Sequence, residues 1–300
     1  MQKENHEGEV LDQIGKYKII DCKFCGFIHI NPLPTEEELS IIYREEYYSK
    51  EKPDYIEKYK EDLEWWNLIY NYRYDLYESY FNANKSKILD IGSGPGHFLK
   101  IGKIRGWGSK GLEPNIDAAK YSKSIGLDII EEFYTKEISE KIGKFEIINL
   151  GEVLEHLRDP LSFILQLKNN LNKNGILSII VPNDFNPFQI ILNKSYNYKP
   201  WWLAPPYHIN YFTFNSLSKL LEKAGFSIVH KEATFPIDLF LLMGENYIEN
   251  SKLGREAHYK RMEFEKKILN SGNDKFLRNL YQKMAELNIG REIFICAKKI

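Results

Sequence analysis

The sequence predicts an α/β fold: a seven-stranded, mostly parallel sheet with helices on both faces, preceded by a helical N-terminal extension. Two observations carry this. From residue 86 onward, short apolar runs of strand length alternate with stretches of helical periodicity, the pattern of strands joined by crossover helices. One of those runs, residues 145–150, is apolar almost throughout, as a parallel strand covered on both faces must be.

The first strand, residues 88–91, carries one embedded acid, Asp90. It breaks into Gly92, Gly94 and Gly96 at every second position, with Ser93 and Pro95 between them, and a helical pattern opens at His97 and Phe98. That order reads as strand, tight turn and helix, with a ligand pressed against bare backbone. The second strand, 107–112, ends in Glu113, Pro114 and Asn115. The third, 128–130, leads to Glu131, Glu132 and Phe133. The fourth, 145–150, runs into Gly151, Glu152 and Val153, then Leu154, Glu155 and His156. A fifth covers 175–181. His208 and the residues up to Phe212 precede a helix over 216–224, which Gly225 stops. Residues 226–232 and 292–298 supply the last two strands.

Upstream lies an extension, residues 1–84. It holds a C-x-x-C-G knuckle, Cys22, Cys25 and Gly26, and a helix that Thr35 caps, with Glu36, Glu37 and Glu38 in its first turn. A long helix after Pro53 carries a stripe of Tyr55, Tyr59, Leu63, Trp66, Tyr70, Tyr74, Tyr77 and Phe81 at steps of three and four. The stripe packs on the core in one reading; in the other it also forms a lid. Residues 85–300 are expected as one core domain with two insertions, 184–207 and 245–287. The second insertion is charged and helical by pattern, a cap or an oligomer contact.

Composition narrows the function. With 300 residues, 43% of them hydrophobic, the chain can bury a large core. Its 41 basic side chains against 42 acidic ones argue against a polyanion-binding protein, so no nucleic-acid partner is expected. The polar, acidic start is unlike a signal peptide, and no apolar run approaches the roughly 20 residues that span a bilayer. Three cysteines make no extracellular disulfide framework. The expectation is a cytoplasmic protein without a membrane partner; a homodimer stays open.

The glycine spacing separates two ligand classes. A dinucleotide turn wants G-x-G-x-x-G; counted from Gly92, the sixth position is His97, so a nicotinamide oxidoreductase is disfavoured. The third glycine falls at Gly96 instead. Together with the stretch from Gly151 to Pro160, this resembles the class I S-adenosylmethionine (SAM)-dependent methyltransferases, small-molecule type, over residues 86–244 and the final strand. The resemblance implies a Rossmann-like sheet whose last strand is antiparallel, and SAM as cofactor with S-adenosylhomocysteine as product. It implies that Asp90 and the backbone of Gly92, Ser93, Gly94, Pro95 and Gly96, with His97 and Phe98, hold the methionine end. Glu113 takes the ribose hydroxyls and Pro114 packs on the adenosine. One of Glu131, Glu132 and Phe133 faces the adenine, and Gly151, Glu152 and Val153 close the other side. The knuckle is similar to the zinc-binding N-terminal module of some sugar methyltransferases, which carry two C-x-x-C pairs. Here the upstream pair is replaced by Lys3 and His6; His6 could serve as a third ligand, a lysine ammonium cannot, and zinc is not expected.

Methyl transfer to a hydroxyl needs alignment, exclusion of water and removal of a proton. Histidine titrates near working pH. His208 is the favoured base, because it follows the insertion 184–207, which holds the aromatic stretch 199–207 and is read as the acceptor loop. His156 is the second candidate or orients a loop through backbone hydrogen bonds, and Tyr207 is the third. Ala204, Pro205, Pro206 and Tyr207 resemble the D/N-P-P-Y motif of amino-group methyltransferases, but Ala204 lacks the polar side chain that accepts from an amine. Base or glutamine N-methylation is therefore rejected. The expected acceptor is a small-molecule hydroxyl, of a sugar or nucleotide-linked sugar, with a quinone or phenol as the alternative. A SAM-binding regulatory or scaffold subunit is the reading from another class.

Overall fold

A computed structural model describes residues 6–42 and 60–300. The chain divides into two compact units. One combines Pro34–Val153, Leu161–Ile179 and Ala297–Ile300; the other combines the chain up to Leu33 with Leu154–Pro160 and Ile180–Cys296.

The strands are β1 (Gly8–Ile14), β2 (Tyr17–Cys22), β3 (Phe27–Asn31), β4 (Lys87–Ile91), β5 (Gly108–Leu112), β6 (Asp128–Ile130), β7 (Phe145–Gly151), β8 (Leu171–Pro182), β9 (Asn210–Tyr211), β10 (Phe226–Ala233) and β11 (Glu292–Lys299). Seven form one sheet in the order β10-β11-β8-β7-β4-β5-β6. β4 pairs in parallel with β5 and β7, and β5 with β6. The last strand runs the other way: Asn183, just past the end of β8, donates to the carbonyl of Arg291 at the start of β11, and Lys299 at its end donates to the carbonyl of Leu171. The expected Rossmann-like sheet with an antiparallel last strand is the sheet observed.

In the first unit the sheet interior is Ile88, Leu89, Ile147 and Ile148, all without solvent exposure. Parallel register sets Asp90 opposite Gly111 on one side and Asn149 on the other. Helix α2 (Leu63–Glu78), which follows α1 (Glu36–Ile41) in the chain, buries Trp65, Ile69, Tyr72, Tyr74, Leu76 and Tyr77. Of the predicted stripe, Tyr74 and Tyr77 are fully buried, Leu63, Trp66, Tyr70 and Phe81 are half-buried, and Tyr55 and Tyr59 lie outside the described residues. Tyr74 stacks on Phe98 with centroids 4.9 Å apart. Tyr77 Oη meets Ser178 Oγ at 2.7 Å. Packing is the role these rings visibly have. Thr35 caps α1 as expected, in a reciprocal capping box with Glu38.

The second unit contains a sheet the sequence did not announce, β1-β2-β3-β9. A two-residue turn at Gly15 and Lys16 joins β1 to β2, with Ile14 opposite Tyr17. β9 pairs with β3 through Ile28 opposite Tyr211 and His29 opposite Asn210. The insertion read as a loop starts with helix: Asn186 caps Pro187–Tyr196, with proline in the first turn. The charged insertion forms two helices, Ser251–Asn270 and Asp274–Glu286, joined by Tyr281 Oη donating to Glu265 at 2.6 Å. Arg278 of the second helix bonds Glu232 of β10 at 2.7 Å. Among the described residues no helix is long and apolar enough to cross a membrane.

Candidate active site

The carboxyl ends of β4, β5 and β7 bring the predicted donor-binding residues together within the first unit. The turn after β4 takes left-handed backbone at Gly92, Gly94 and Gly96, with φ of 70°, 53° and 77°, which only glycine adopts without strain. Side chains are excluded by space as well. A Cβ on Gly92 would lie 2.8 Å from Val153 Cγ2, and one on Gly96 would lie 2.9 Å from Ser122 Oγ. Gly96 caps the following helix α3 (His97–Ile104).

The amides of this turn are largely spent within the fold. Those of Gly92 and Ser93 both donate to Leu112 O, at 2.8 and 3.0 Å. Gly96 donates to Ser93 O, and Gly94 to Glu113 Oε2 at 2.7 Å. Pro95 has no amide to give. Its carbonyls are partly engaged as well: Gly94 O accepts from Ser122 Oγ at 2.8 Å and Gly96 O from the Lys100 amide at 2.9 Å.

Glu113 is 4% exposed. Its Oε1 accepts from the Asn115 amide at 2.8 Å, while Oε2 holds the glycine turn. Burial pushes its carboxyl up to about 7, against the pull of those two backbone donors. Each oxygen keeps a second lone pair, so the group can still receive two hydroxyls from one diol. Asp90 is buried too. Its Oδ1 accepts from Asn149 Nδ2 at 2.7 Å, and burial again pushes the carboxyl up to about 7; the Asn149 bond opposes this and nearby Glu113 adds to it. His97 is buried at the head of α3, and burial and then the Lys100 and Lys60 charges push it down to about 4, so its ring is neutral. Phe98 packs under Tyr74, Pro114 is half-buried, and beyond β6 Phe133 is half-buried and Glu132 exposed. Glu152 has a left-handed φ of 54° between half-buried Gly151 and Val153, a conformation costly for a side chain of this size.

Asn149 has the role that sequence reasoning missed. Its Oδ1 accepts from Ser178 Oγ at 3.1 Å and from Tyr77 at 3.4 Å, which fixes the amide so that Nδ2 points to Asp90. The signal was there: one amide inside an otherwise apolar strand. Asn149→Ala should lower stability by about 1–3 kcal/mol, because it leaves a buried carboxylate and two hydroxyls short of a partner. Urea unfolding reads this as a lower midpoint at unchanged slope; an unchanged midpoint removes the network from the stability of the sheet.

The second unit holds the three candidate bases. Leu154–His156 is a single 3-10 turn, directly following Val153 in the chain. His156 is buried, and its Nδ1–H donates to Tyr207 O at 2.7 Å. The bond leaves Nε2 facing Glu155, 3.7 Å from Oε1. His156 and His208 meet edge to face, centroids 5.1 Å apart. Backbone ties bring these segments together: Ile209 donates to Glu155 O at 2.9 Å, and Asn210 Nδ2 donates to Leu157 O at 2.6 Å and Leu154 O at 3.1 Å. The structure thus joins His156, His208 and the Tyr207 main chain. Sequence reasoning passed over Glu155, although it adjoins His156. An aromatic wall stands on the same unit: Trp202 is buried, with Phe185 at 5.5 Å and Trp201 at 5.0 Å, centroid to centroid.

The left-handed glycine turn, crowded wherever a Cβ would go, and a strand-end carboxylate with lone pairs to spare fit the methionine and ribose parts of SAM. When bound, SAM supplies an activated methyl on a sulfonium. Comparison with known proteins agrees. A ubiquinone biosynthesis O-methyltransferase of Dinoroseobacter shibae is 31% identical over 155 residues, 49% of this chain and 62% of that protein. A tRNA U34 carboxymethyltransferase of Campylobacter jejuni is 26% identical over 189 residues, 59% of this chain and 61% of that protein. The chain therefore spans less than two thirds of either relative. Among solved structures, the plantazolicin methyltransferase BamL, in complex with a triazolic desmethylPZN analog and SAH, aligns over 87% of this chain and 94% of its own with a TM-score of 0.52. At 15% identity that likeness speaks to the fold alone. Residues 67–231 match the model of the methyltransferase domain family. That match covers more than half of the chain, so the chain belongs to the methyltransferase domain family.

Proposed function

We propose that this enzyme methylates a hydroxyl of a small aromatic acceptor of phenol or quinone type. The observation that carries the reading is the paired His156 and His208, 5.1 Å apart, on the unit whose 184–207 segment supplies Trp201, Trp202 and Phe185. Flat aromatic walls favour a flat acceptor through offset and edge-to-face contact. A phenol, with a pKa of about 10, is acidic enough for a neutral imidazole to take its proton as the methyl is transferred. The relatives named as ubiquinone O-methyltransferases favour the same class. They give no support to a sugar hydroxyl, the acceptor expected from the knuckle and the aromatic loop together.

In this reading Asp90 and the turn carbonyls receive the ammonium of the donor, Glu113 receives the ribose diol, and Gly151, Glu152 and Val153 border the adenosine. His208 takes the hydroxyl proton at its imidazole nitrogen. His156, tied to Tyr207 O, holds the segment that carries it. The near-balance of 41 basic and 42 acidic side chains favours a small acceptor over a nucleic acid, and a cytoplasmic setting suits it.

The test is a methyl-transfer assay with labelled SAM against three acceptor sets: catechols and hydroquinones, nucleotide sugars, and tRNA. Label in the first set supports the proposal. Label only in the sugars or only in tRNA overturns it, and label in none removes all three acceptor classes.

A further inference from the structure

We propose that His6, Cys22, Cys25 and His29 form a structural zinc site. The four side chains come from three places in the second unit: the segment before β1, the knuckle after β2, and the middle of β3. One donor atom from each lies within 4.8 Å of all the others. His6 Nδ1 is 3.4 Å from Cys25 Sγ, 3.8 Å from Cys22 Sγ and 3.2 Å from His29 Nε2. A tetrahedral zinc, with bonds of about 2.3 Å to sulfur and about 2.0 Å to nitrogen, separates its ligands by about 3.3–3.8 Å. The three spacings measured from His6 are close to those of a coordination shell.

The surroundings are built to present these atoms. His29 is 1% exposed, and its Nδ1–H donates to Ile30 O at 2.8 Å, which turns the Nε2 lone pair toward His6 and the thiols. Zinc-bound histidines are commonly oriented by such a second hydrogen bond. In the knuckle, the Cys25 amide donates to Cys22 Sγ at 3.5 Å and the Gly26 amide to Cys22 O at 2.8 Å, with Gly26 at a left-handed φ of 78°. The chain around His6 is fastened by Asn31 Nδ2 donating to His6 O at 3.3 Å and by Lys23 donating to Glu7 O at 3.0 Å. Two thiolates and two imidazoles in a tetrahedron select zinc over the harder divalent ions. Four protein ligands leave no position for a substrate, so the metal holds structure.

The sequence pointed away from this for a local reason. A second C-x-x-C pair was sought upstream, and Lys3, outside the described residues, stood where a thiol was needed. The fourth donor is His29 on β3, and the β2-β3 ribbon brings it back over the knuckle. Its place has a consequence within the same unit. His29 is opposite Asn210, and Asn210 holds Leu154 and Leu157 while its neighbour Ile209 holds Glu155. The metal would therefore brace the strand that leads out of His208.

The experiment is metal analysis of the full chain purified without chelator. About one zinc per chain is expected, with Cys22→Ser and His29→Ala each lowering occupancy at least about tenfold and His258→Ala leaving it unchanged. Cobalt replacing the zinc should give the intense near-ultraviolet band of thiolate coordination, absent in Cys22→Ser, and chelator should lower the melting temperature of the wild-type chain. The last two measurements stand even if a variant fails to fold. Less than about one zinc per ten chains with no cobalt band overturns the site, as does a Cys22–Cys25 disulfide in the protein as isolated. None of these readouts requires methyl transfer.

Discussion

Replacing Glu113 with alanine should weaken SAM binding about 5- to 150-fold, the equivalent of about 1–3 kcal/mol for a charged hydrogen-bond partner lost from a buried site. The same carboxylate should make affinity depend on pH. In the ligand-free protein its pKa is raised to about 7 by burial, and a diol donates best to the ionised form. Below that value, binding must first remove a proton. The dissociation constant should therefore fall by up to about tenfold per pH unit toward 7 and level off above it, with a proton released on binding. Glu113→Gln should make the profile shallower, leaving the part that Asp90, also raised to about 7, contributes. The stability of the unliganded chain moves the opposite way. Asp90 and Glu113 both titrate higher folded than unfolded, so what they contribute is fully present below their ordinary carboxylate values and is lost as pH rises through about 7. Saturating SAM should reverse that loss. Calorimetry in two buffers of different ionisation enthalpy reads both effects, and an unchanged, pH-independent affinity in Glu113→Ala takes this residue out of the site.

The donor side of the enzyme was legible because it is local. Asp90, the glycine turn and Glu113 each sit at a strand end, where a short apolar run stops and a turn residue begins, and parallel register brings β4, β5 and β7 side by side without further information. Its wiring was not legible. That the turn amides are spent on Leu112, Ser93 and Glu113, and that Asp90 is met by Asn149, depends on register, which no periodicity encodes. The small sheet escaped for another reason. β9 is two residues long and joins β3 from far along the chain, so neither half looks like part of a sheet alone. With β9 went the two contacts that matter most there: His29 opposite Asn210, and Ile209 on Glu155. The tyrosine stripe shows the reverse case. Its spacing was read correctly, and the buried face proved broader, taking in Trp65, Ile69, Tyr72 and Leu76.

His208→Ala should lower turnover about 100-fold or more while SAM affinity stays within about twofold, the signature of a lost general base. With a phenolic acceptor the loss should shrink as pH rises, because hydroxide progressively replaces the missing imidazole. His156 separates from His208 by a different replacement. Its Nδ1–H holds Tyr207 O at 2.7 Å, and an asparagine side chain places an amide N–H close to where Nδ1 stood. If His156 positions the Tyr207–His208 segment, His156→Asn should keep most of the turnover and the wild-type pH profile, whereas His156→Ala should lose turnover without a shift in the apparent pKa of the rate. If His156 is itself the base, both replacements abolish the acid limb of the profile and His208→Ala leaves it in place. Full turnover in His208→Ala with the acceptor found by labelling ends the assignment of His208. The two imidazoles are 5.1 Å apart, so their effects should not add: the double alanine variant should be little slower than His208→Ala alone, since a positioning residue has nothing left to position once the base is gone.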